Sequence, residues 1–481
     1  MAVLEHLAPA RVFHFFEELC QIPHGSGNTR AVSDYCVRFA QSHGFEHYQD
    51  ELNNVIIIKP ATKGYEDSPA VIVQGHLDMV TEKTPECPID FTKDGLKLCV
   101  DGDFVYADGT TLGGDDGIAV AMALALLESD DLPHPRLEAV FTVDEEVGME
   151  GAQGLDVSPL RGRRMLNIDS EDEGIFTVSC AGGARANISA SFETEPCALP
   201  VYALRVTGLA GGHSGTEINK GHGNANLLMG RILYRLSRAL ALRIVSCTGG
   251  LKDNAIALAC TATLALSHAD ALKAQQLADA FDAALKHEFA ASDPGVCISF
   301  NETGVAARAM TVDDSARFAR FLSLMPDGVA AMSMDIEGLV QTSCNLGVLQ
   351  LENGQLHACS AVRSSVATQK QMLLERITAL AETFGGSVTV TGDYPAWEYR
   401  RESVLRETMV RVFEAQYGYT PKVEAIHAGL ECGLFAGKLD GLDAVSFGPN
   451  LYDIHTTREH MSISSVQRTW QYLCRVLEAL K

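Results

Sequence analysis

Ala70-Val-Ile-Val-Gln-Gly-His-Leu-Asp78 is the stretch that decides the fold. Ala70–Gln74 is a short, mostly β-branched apolar run, the pattern of a strand covered on both faces. It closes on His76 and Asp78, two polar residues that share a face wherever the chain stays extended. Outward from it, Val55–Ile58, Leu137–Val143 and Met165–Ile168 repeat the apolar run and are predicted strands. Ile118–Glu128 is apolar all round and is predicted to be a buried helix. Pro9–Cys20 is predicted to be an amphipathic helix with Val12, Phe15, Phe16 and Leu19 on one face. Alternating strands and helices of this kind predict an α/β domain with a mainly parallel central sheet and helices on both faces.

The texture changes after Cys180-Ala-Gly-Gly. Predicted helices at Asn224–Leu240, Ala269–Phe289, Asp313–Leu324 and Thr368–Phe384 alternate with antiparallel-type strands at Ala203–Thr207, Ile256–Leu266, Val296–Asn301, Val340–Glu352 and His357–Arg363. The last two strands are joined across Asn353-Gly354, a hairpin-turn dipeptide. The stretches around Asn254 and Asn345 each precede a strand pair, which suggests two βαββ-like halves. The α/β texture resumes near Trp397, with helices Glu402–Tyr417 and Ser464–Leu480 around a strand at Ala444–Phe447. The expected organisation is a first domain made of residues 1–184 and 396–481. An α+β lid with an antiparallel sheet, residues 185–395, is inserted into it.

The chain has 481 residues, 46% apolar and 21% charged, which suits two packed domains and excludes wholesale disorder. Its formal net charge of −24 argues against a nucleic-acid binder and against a surface drawn to anionic membrane. The 13 cysteines are odd in number, scattered and without a C-x-x-C pair, so free thiols and a reducing cytoplasm are expected. Met1–His6 lacks a basic region followed by an apolar one, so no secretory signal is expected there. The apolar stretch Ile118–Leu127 is too short to span a bilayer.

Metal-type side chains fall at or just past the predicted strand ends: His76 and Asp78, Asp144-Glu145-Glu146, Asp169 and His455. Asp115-Asp116 opens the apolar helix. Ligands of open α/β sheets collect beyond the carboxyl ends of the strands. Imidazole with carboxylate and no thiolate suits zinc, cobalt or manganese. A carboxylate can bridge two such ions, and a spare one can serve as general base. Taken singly, Asp-Asp-Gly reads as a turn, Glu-Glu as a solvated face, and a lone strand-end His as loop chemistry.

Taken together, His76-Leu-Asp78, Gly114-Asp115-Asp116-Gly117, Asp144-Glu145-Glu146-Val-Gly, Asn167-Ile-Asp169 and His455-Thr-Thr-Arg-Glu459 resemble the M20 family of di-zinc peptidases over nearly the whole chain. Gly211-Gly-His213-Ser-Gly215, Gly249-Gly-Leu-Lys-Asp-Asn254-Ala-Ile and His427-Ala-Gly-Leu-Glu-Cys-Gly resemble its aminoacyl-histidine dipeptidase branch. The resemblance implies that Asp115 bridges two ions, with His76 and Asp169 completing one and Glu146 and His455 the other. It implies Glu145 as general base, Asp78 as the residue that orients His76, and a cis peptide after Asp115. Where the family often has Ala-Asp-Asn, this chain has Gly114-Asp115-Asp116. His455 is preferred over His460 because the spacing to Glu459 matches the family, and His134, between prolines, is read as structural.

In the lid, His213 and Asn254 resemble the family's oxyanion donors, and Arg363 is placed to hold a substrate carboxylate. The implied activity is metal-dependent hydrolysis of dipeptides, preferentially Xaa-His, by a cytoplasmic enzyme that pairs through the lid as a homodimer. Three other readings stay open: a tripeptidase, an N-acyl amino acid deacylase, and an inactive peptide-binding relative. No G-x-G-x-x-G follows a strand and no G-x-S-x-G elbow occurs, which excludes a Rossmann dehydrogenase and an elbow-type serine hydrolase.

Overall fold

The computed structural model describes residues 3–481. Met1 and Ala2, the start of the N-terminal stretch read above, lie outside it. The chain divides into two compact units. One holds the chain up to Ser179 together with Tyr399–Ala425 and Leu430–Lys481; the other holds Cys180–Glu398 and Ile426–Gly429.

The first unit is built on an eight-stranded mixed sheet. Its strands before the second unit are β1 (Glu46–Gln49), β2 (Val55–Lys59), β3 (Val71–His76), β4 (Leu137–Thr142), β5 (Arg164–Asn167) and β6 (Ile175–Cys180). The order runs β1-β2-β4-β3-β5, then Asp443–Ser446, β6 and Lys422–Ile426. The centre of the sheet is parallel: β3 lies between β4 and β5, and β5 pairs with Asp443–Ser446. The flanking β1–β2 and β2–β4 pairs are antiparallel. Every residue of β2, β3 and β4 is buried, which explains why apolar residues occupy both faces of these strands rather than alternating with polar ones. The register aligns their carboxyl ends: His76 opposes Thr142, and Gln74 opposes Asn167.

Helix α1 (Gly114–Glu128) is buried from Gly114 to Leu127, as an all-round apolar helix must be, and packs against Ala10–Cys20. Its first residues are not helical: Asp115 and Asp116 have extended or bridging backbone angles, and the peptide between them is cis. Gly75 is the point of closest approach between β3 and α1. A Cβ there would lie 2.5 Å from Asp116 Oδ2 and 2.7 Å from the Ala119 Cβ, so a larger residue would push the two elements apart. A small sheet of Leu98–Asp101, Phe104–Ala107, Leu451–Tyr452 and His460–Ser462, not foreseen from the sequence, frames the loop that carries His455.

The second unit has one nine-stranded antiparallel sheet. Its strands are β7 (Gly182–Ser191), β8 (Pro200–Thr207), β9 (Arg243–Gly249), β10 (Cys260–Ala265), β11 (Cys297–Val305), β12 (Val340–Glu352), β13 (Gln355–Ser364) and β14 (Gly386–Tyr394), with Gly328–Met332 added beside β12. Helices α2 (Ala225–Ala239), α3 (His268–Glu288), α4 (Val312–Leu324) and α5 (Ala367–Thr383) pack on it around Leu204, Ile232, Phe318 and Ile377. The order β11-β8-β10-β9-β12-β13-β7-β14 reads as two βαββαβ halves, β8-α2-β9-β10-α3-β11 and β7-α4-β12-β13-α5-β14, joined through β9 and β12. The second half is discontinuous, because its first strand, β7, precedes the whole of the other half. Asn254 and Asn345 are not equivalent markers of these halves: Asn254 lies between β9 and β10, whereas Asn345 lies inside β12. Asn353 and Gly354 both have positive φ and close the β12–β13 hairpin, as that dipeptide predicts.

Candidate metal centre

His76 and Asp169 sit where central strands end, Asp115 sits at the start of α1, and Glu145, Glu146 and His455 arrive on a turn and a loop. His76 is the last residue of β3, and Asp169 comes two residues past β5. The chain leaves β4 through Asp144, whose φ of 54° lies in the left-handed region, and this turn carries Glu145 and Glu146. His455 also has a positive φ, 61°, on the loop between Leu451–Tyr452 and His460–Ser462. Left-handed geometry is uncommon for residues other than glycine, and here it falls at both loops that deliver side chains to the site.

These elements bring His76, Asp115, Glu146, Asp169 and His455 together. His76 Nε2 lies 3.1 Å from Asp115 Oδ1 and 3.6 Å from Asp169 Oδ1. His455 Nε2 lies 3.2 Å from Asp115 Oδ2 and 3.0 Å from Glu146 Oε1. Asp115 thus offers one oxygen to each imidazole. Two donors on one tetrahedral zinc ion, each about 2.05 Å from it, are about 3.3 Å apart. The donor spacing therefore fits divalent cations.

Charge points the same way. Burial would push the His76 imidazolium down, but the Asp115, Asp169 and Asp78 carboxylates outweigh it and hold it well above its usual range. Asp115 and Glu146 raise His455 to about 10. Burial raises Asp169, Asp116 and Glu171, and repulsion from neighbouring carboxylates, Asp115 in each case, adds to the rise. Such crowded carboxylates call for positive charge. Asp116 forms a further candidate group with His76 and Asp169, but its Oδ2 also accepts the His76 backbone N–H, at 3.3 Å.

The supporting residues are equally specific. His76 Nδ1 donates to the Asp78 carbonyl at 2.9 Å, leaving Nε2 free to act as a ligand; the Asp78 carboxylate is farther away, at 3.6 Å. That carboxylate instead accepts the backbone N–H groups of Glu145 and Glu146 and the Ser26 hydroxyl. Asp78 therefore couples the His76 strand end to the Glu145–Glu146 turn. Buried Glu459 accepts backbone N–H groups from Leu112, Gly113, Gly114 and Asp115 at 2.7–3.4 Å, holding the turn that presents Asp115. The sequence reading used Glu459 only as a spacing mark. Glu145 belongs to the candidate group His76–Glu145–Glu146, and its carboxyl is pushed up to about 9, first by burial and then by Asp169, Glu431 and Glu146 against the pull of His76.

A model of peptidase family M20/M25/M40 matches residues 72–479. The chain belongs to this family. It is 34% identical to the cytosol non-specific dipeptidase of Escherichia coli K12, across 100% of this chain and 99% of that protein. It is similar to the crystal structure of the aminoacylhistidine dipeptidase of Vibrio alginolyticus, with a TM-score of 0.94, 36% identity, and coverage of 99% of this chain and 98% of that one. The aminopeptidase PepT of Bacillus cereus ATCC 10987 shares the fold at 17% identity and a TM-score of 0.56, covering 98% and 99%. Family membership makes the chain a hydrolase acting on peptide bonds.

The remaining predicted site residues, His213, Asn254 and Arg363, lie in the second unit of this M20 peptidase. His213 Nδ1 accepts the backbone N–H groups of Gly215 and Thr216 at 3.3 and 3.2 Å, so the ring proton sits on Nε2, available for donation. The side chain of Asn254 is exposed, and its carbonyl accepts the Ser214 N–H. Arg363 donates to the Tyr394 hydroxyl at 3.3 Å, and its buried Nε has no partner among the described residues.

His427, quoted above only as part of a motif, belongs to this second group. Its Nε2 lies 2.7 Å from the Ser343 hydroxyl. Burial, and then Arg363 and His213, push it down to about 4. The folded chain keeps this imidazole neutral while the unfolded chain protonates near pH 6.5. Its contribution to stability is therefore complete above pH 6.5 and lost as pH falls toward 4, by about 3 kcal/mol. Denaturant midpoints followed from pH 7 to pH 4.5 should fall more steeply for the unaltered chain than for His427→Gln. Parallel curves would refute the assignment.

Proposed function

We propose that this chain is a dipeptidase that uses two divalent metal ions, and that it prefers Xaa-His dipeptides. The observation that carries the reading is Asp115, whose two oxygens each face a different imidazole at 3.1 and 3.2 Å. On this reading His76 and Asp169 complete one ion, and Glu146 and His455 the other. The donor set suits zinc, with cobalt or manganese as substitutes. When bound, the ions supply Lewis-acid polarisation of the scissile carbonyl and acidify the attacking water. Glu145 takes the proton from that water and delivers it to the leaving amine. Asp78 holds both His76 and the Glu145–Glu146 turn in place.

In the second unit, His213 and Asn254 are read as donors to the oxyanion, and Arg363 as the partner of the substrate's C-terminal carboxylate. The dipeptide preference is supported by similarity to the two full-length relatives, and the Xaa-His preference by the Vibrio protein alone. A cytoplasmic location suits the similarity to the cytosol dipeptidase of E. coli and the 13 free thiols. Among the described residues no helix is long and apolar enough to cross a membrane. A homodimer through the second unit is part of the same reading.

The test is a panel of Ala-His, β-Ala-His, other dipeptides, tripeptides and N-acetyl amino acids, with and without chelator. Ala-His should turn over fastest, chelation should abolish turnover, and zinc should restore it. Preference for tripeptides or N-acetyl amino acids would replace the substrate assignment, and full activity after rigorous demetallation would end the metal reading.

A further inference from the structure

Glu431 opens helix α6 (Glu431–Lys438), and its side chain is fully buried. Its Oε2 accepts hydrogen bonds from Gln74 Nε2 at 2.5 Å and Thr142 Oγ1 at 2.6 Å. Gln74 Oε1 in turn accepts Asn167 Nδ2 at 2.5 Å. These partners come from β3, β4 and β5, the three strands whose ends lead into the candidate centre. Gln74 lies two residues before His76 on the same face of β3, and Asn167 lies two residues before Asp169. Thr142 ends β4 immediately ahead of the Glu145–Glu146 turn and opposes His76 across the sheet. One carboxylate therefore ties together three strands about one pleat behind the ligands.

A tie that served packing alone could be apolar, and burying a carboxyl for that purpose is unfavourable. Glu431 Oε1 and Asn167 Oδ1 are both buried without a partner among the described residues, so the network keeps polar capacity beyond the bonds it makes. Glu431 is also close enough to bear on Glu145, as one of the carboxylates that push it up.

We propose that Glu431 is a positioning residue of the metallopeptidase centre: through Gln74, Thr142 and Asn167 it fixes the strand ends that present His76, Glu145–Glu146 and Asp169. The inference rests on the di-metal dipeptidase reading.

The test uses the full chain and the variants Glu431→Leu, Glu431→Gln and Thr142→Val. Cobalt titration with visible spectra, kcat and KM for Ala-His on the zinc-loaded protein, and thermal unfolding are measured for each. Glu431→Leu should bind cobalt about 10- to 100-fold more weakly, the range seen when partners of metal ligands are removed. Its cobalt spectrum should shift and its kcat should fall at least about tenfold, with KM within about twofold. Glu431→Gln, which still accepts from Thr142, should recover most of both losses. Thr142→Val should show a smaller loss and add little to Glu431→Leu, because the two act through one network. A folded Glu431→Leu with unchanged cobalt affinity, spectrum and kcat would overturn the assignment. If Glu431→Leu does not fold, a Thr142→Val variant with all three readouts unchanged would overturn it instead. An unaltered chain that neither binds cobalt nor cleaves dipeptides would sink the dipeptidase reading itself, and this inference with it.

Discussion

Glu145→Gln should lower kcat for Ala-His by about 10²–10⁴-fold, the range supplied by a positioned general acid–base. That corresponds to about 3–5 kcal/mol of lost transition-state stabilisation. The amide keeps the shape of the side chain but cannot carry a proton from water to amine. Metal content by elemental analysis should be unchanged, since Asp115, Glu146, Asp169 and the two imidazoles are intact. KM should move little, because the loss falls on the chemical step. The backbone N–H of residue 145 should still donate to Asp78, as Glu145 does at 3.1 Å, so the turn itself should survive. Undiminished turnover by this variant would remove Glu145 from the mechanism. Loss of metal along with activity would make it a ligand instead.

Asp115→Asn should be more damaging to the site as a whole. Asp115 places one oxygen 3.1 Å from His76 and the other 3.2 Å from His455, so its replacement removes negative charge and a strong donor from both halves together. Altering residues that merely support metal ligands costs about 10–100-fold in affinity, so loss of a shared ligand should exceed about 100-fold at each ion. Zinc competition against a chromophoric chelator should show both binding steps weakened. Dipeptide turnover at stoichiometric zinc should fall by about three orders of magnitude, on the order of the Glu145→Gln effect but with the metal lost. One ion bound as tightly as before would rule out the bridging role. The fold should hold, because Glu459 still grips the backbone N–H groups of Leu112–Asp115.

The first unit was legible from particular residues. Ala70–Gln74 and Leu137–Val143 read as strands because they are short, largely apolar and rich in β-branched residues, and they pair in parallel at the centre of the sheet. Ile118–Leu127 read as a buried helix because it has no polar face. The expected mainly parallel centre is present, and antiparallel pairing enters on one side through β1 and β2. Edge pairing depends on which partner a strand meets in space, and the local pattern of Glu46–Gln49 does not encode that. The small sheet beside His455 escaped for a similar reason: its strands are two to four residues long, too short for periodicity to register.

Within the site, residues at strand ends were easier to read than residues that support them. His76, Glu145–Glu146 and Asp169 stand out because polar groups abruptly follow apolar runs. Glu459 and Glu431 were visible in quoted motifs, but their partners lie more than 280 positions away along the chain. Only folding shows that Glu459 receives the Asp115 turn and that Glu431 joins three strands.

The amino-acid order alone determined the alternation of buried strands and helices and the chemical kinds of side chain waiting at their ends, because hydrophobic periodicity and residue chemistry are local properties. The tertiary structure decided which distant carboxylates meet which imidazoles, how Asp78 divides its bonds between His76 and the Glu145 turn, and how β7 completes a half whose other strands follow a long insertion. Those outcomes depend on strand register and on closure of long loops, and both are settled only when the whole core packs.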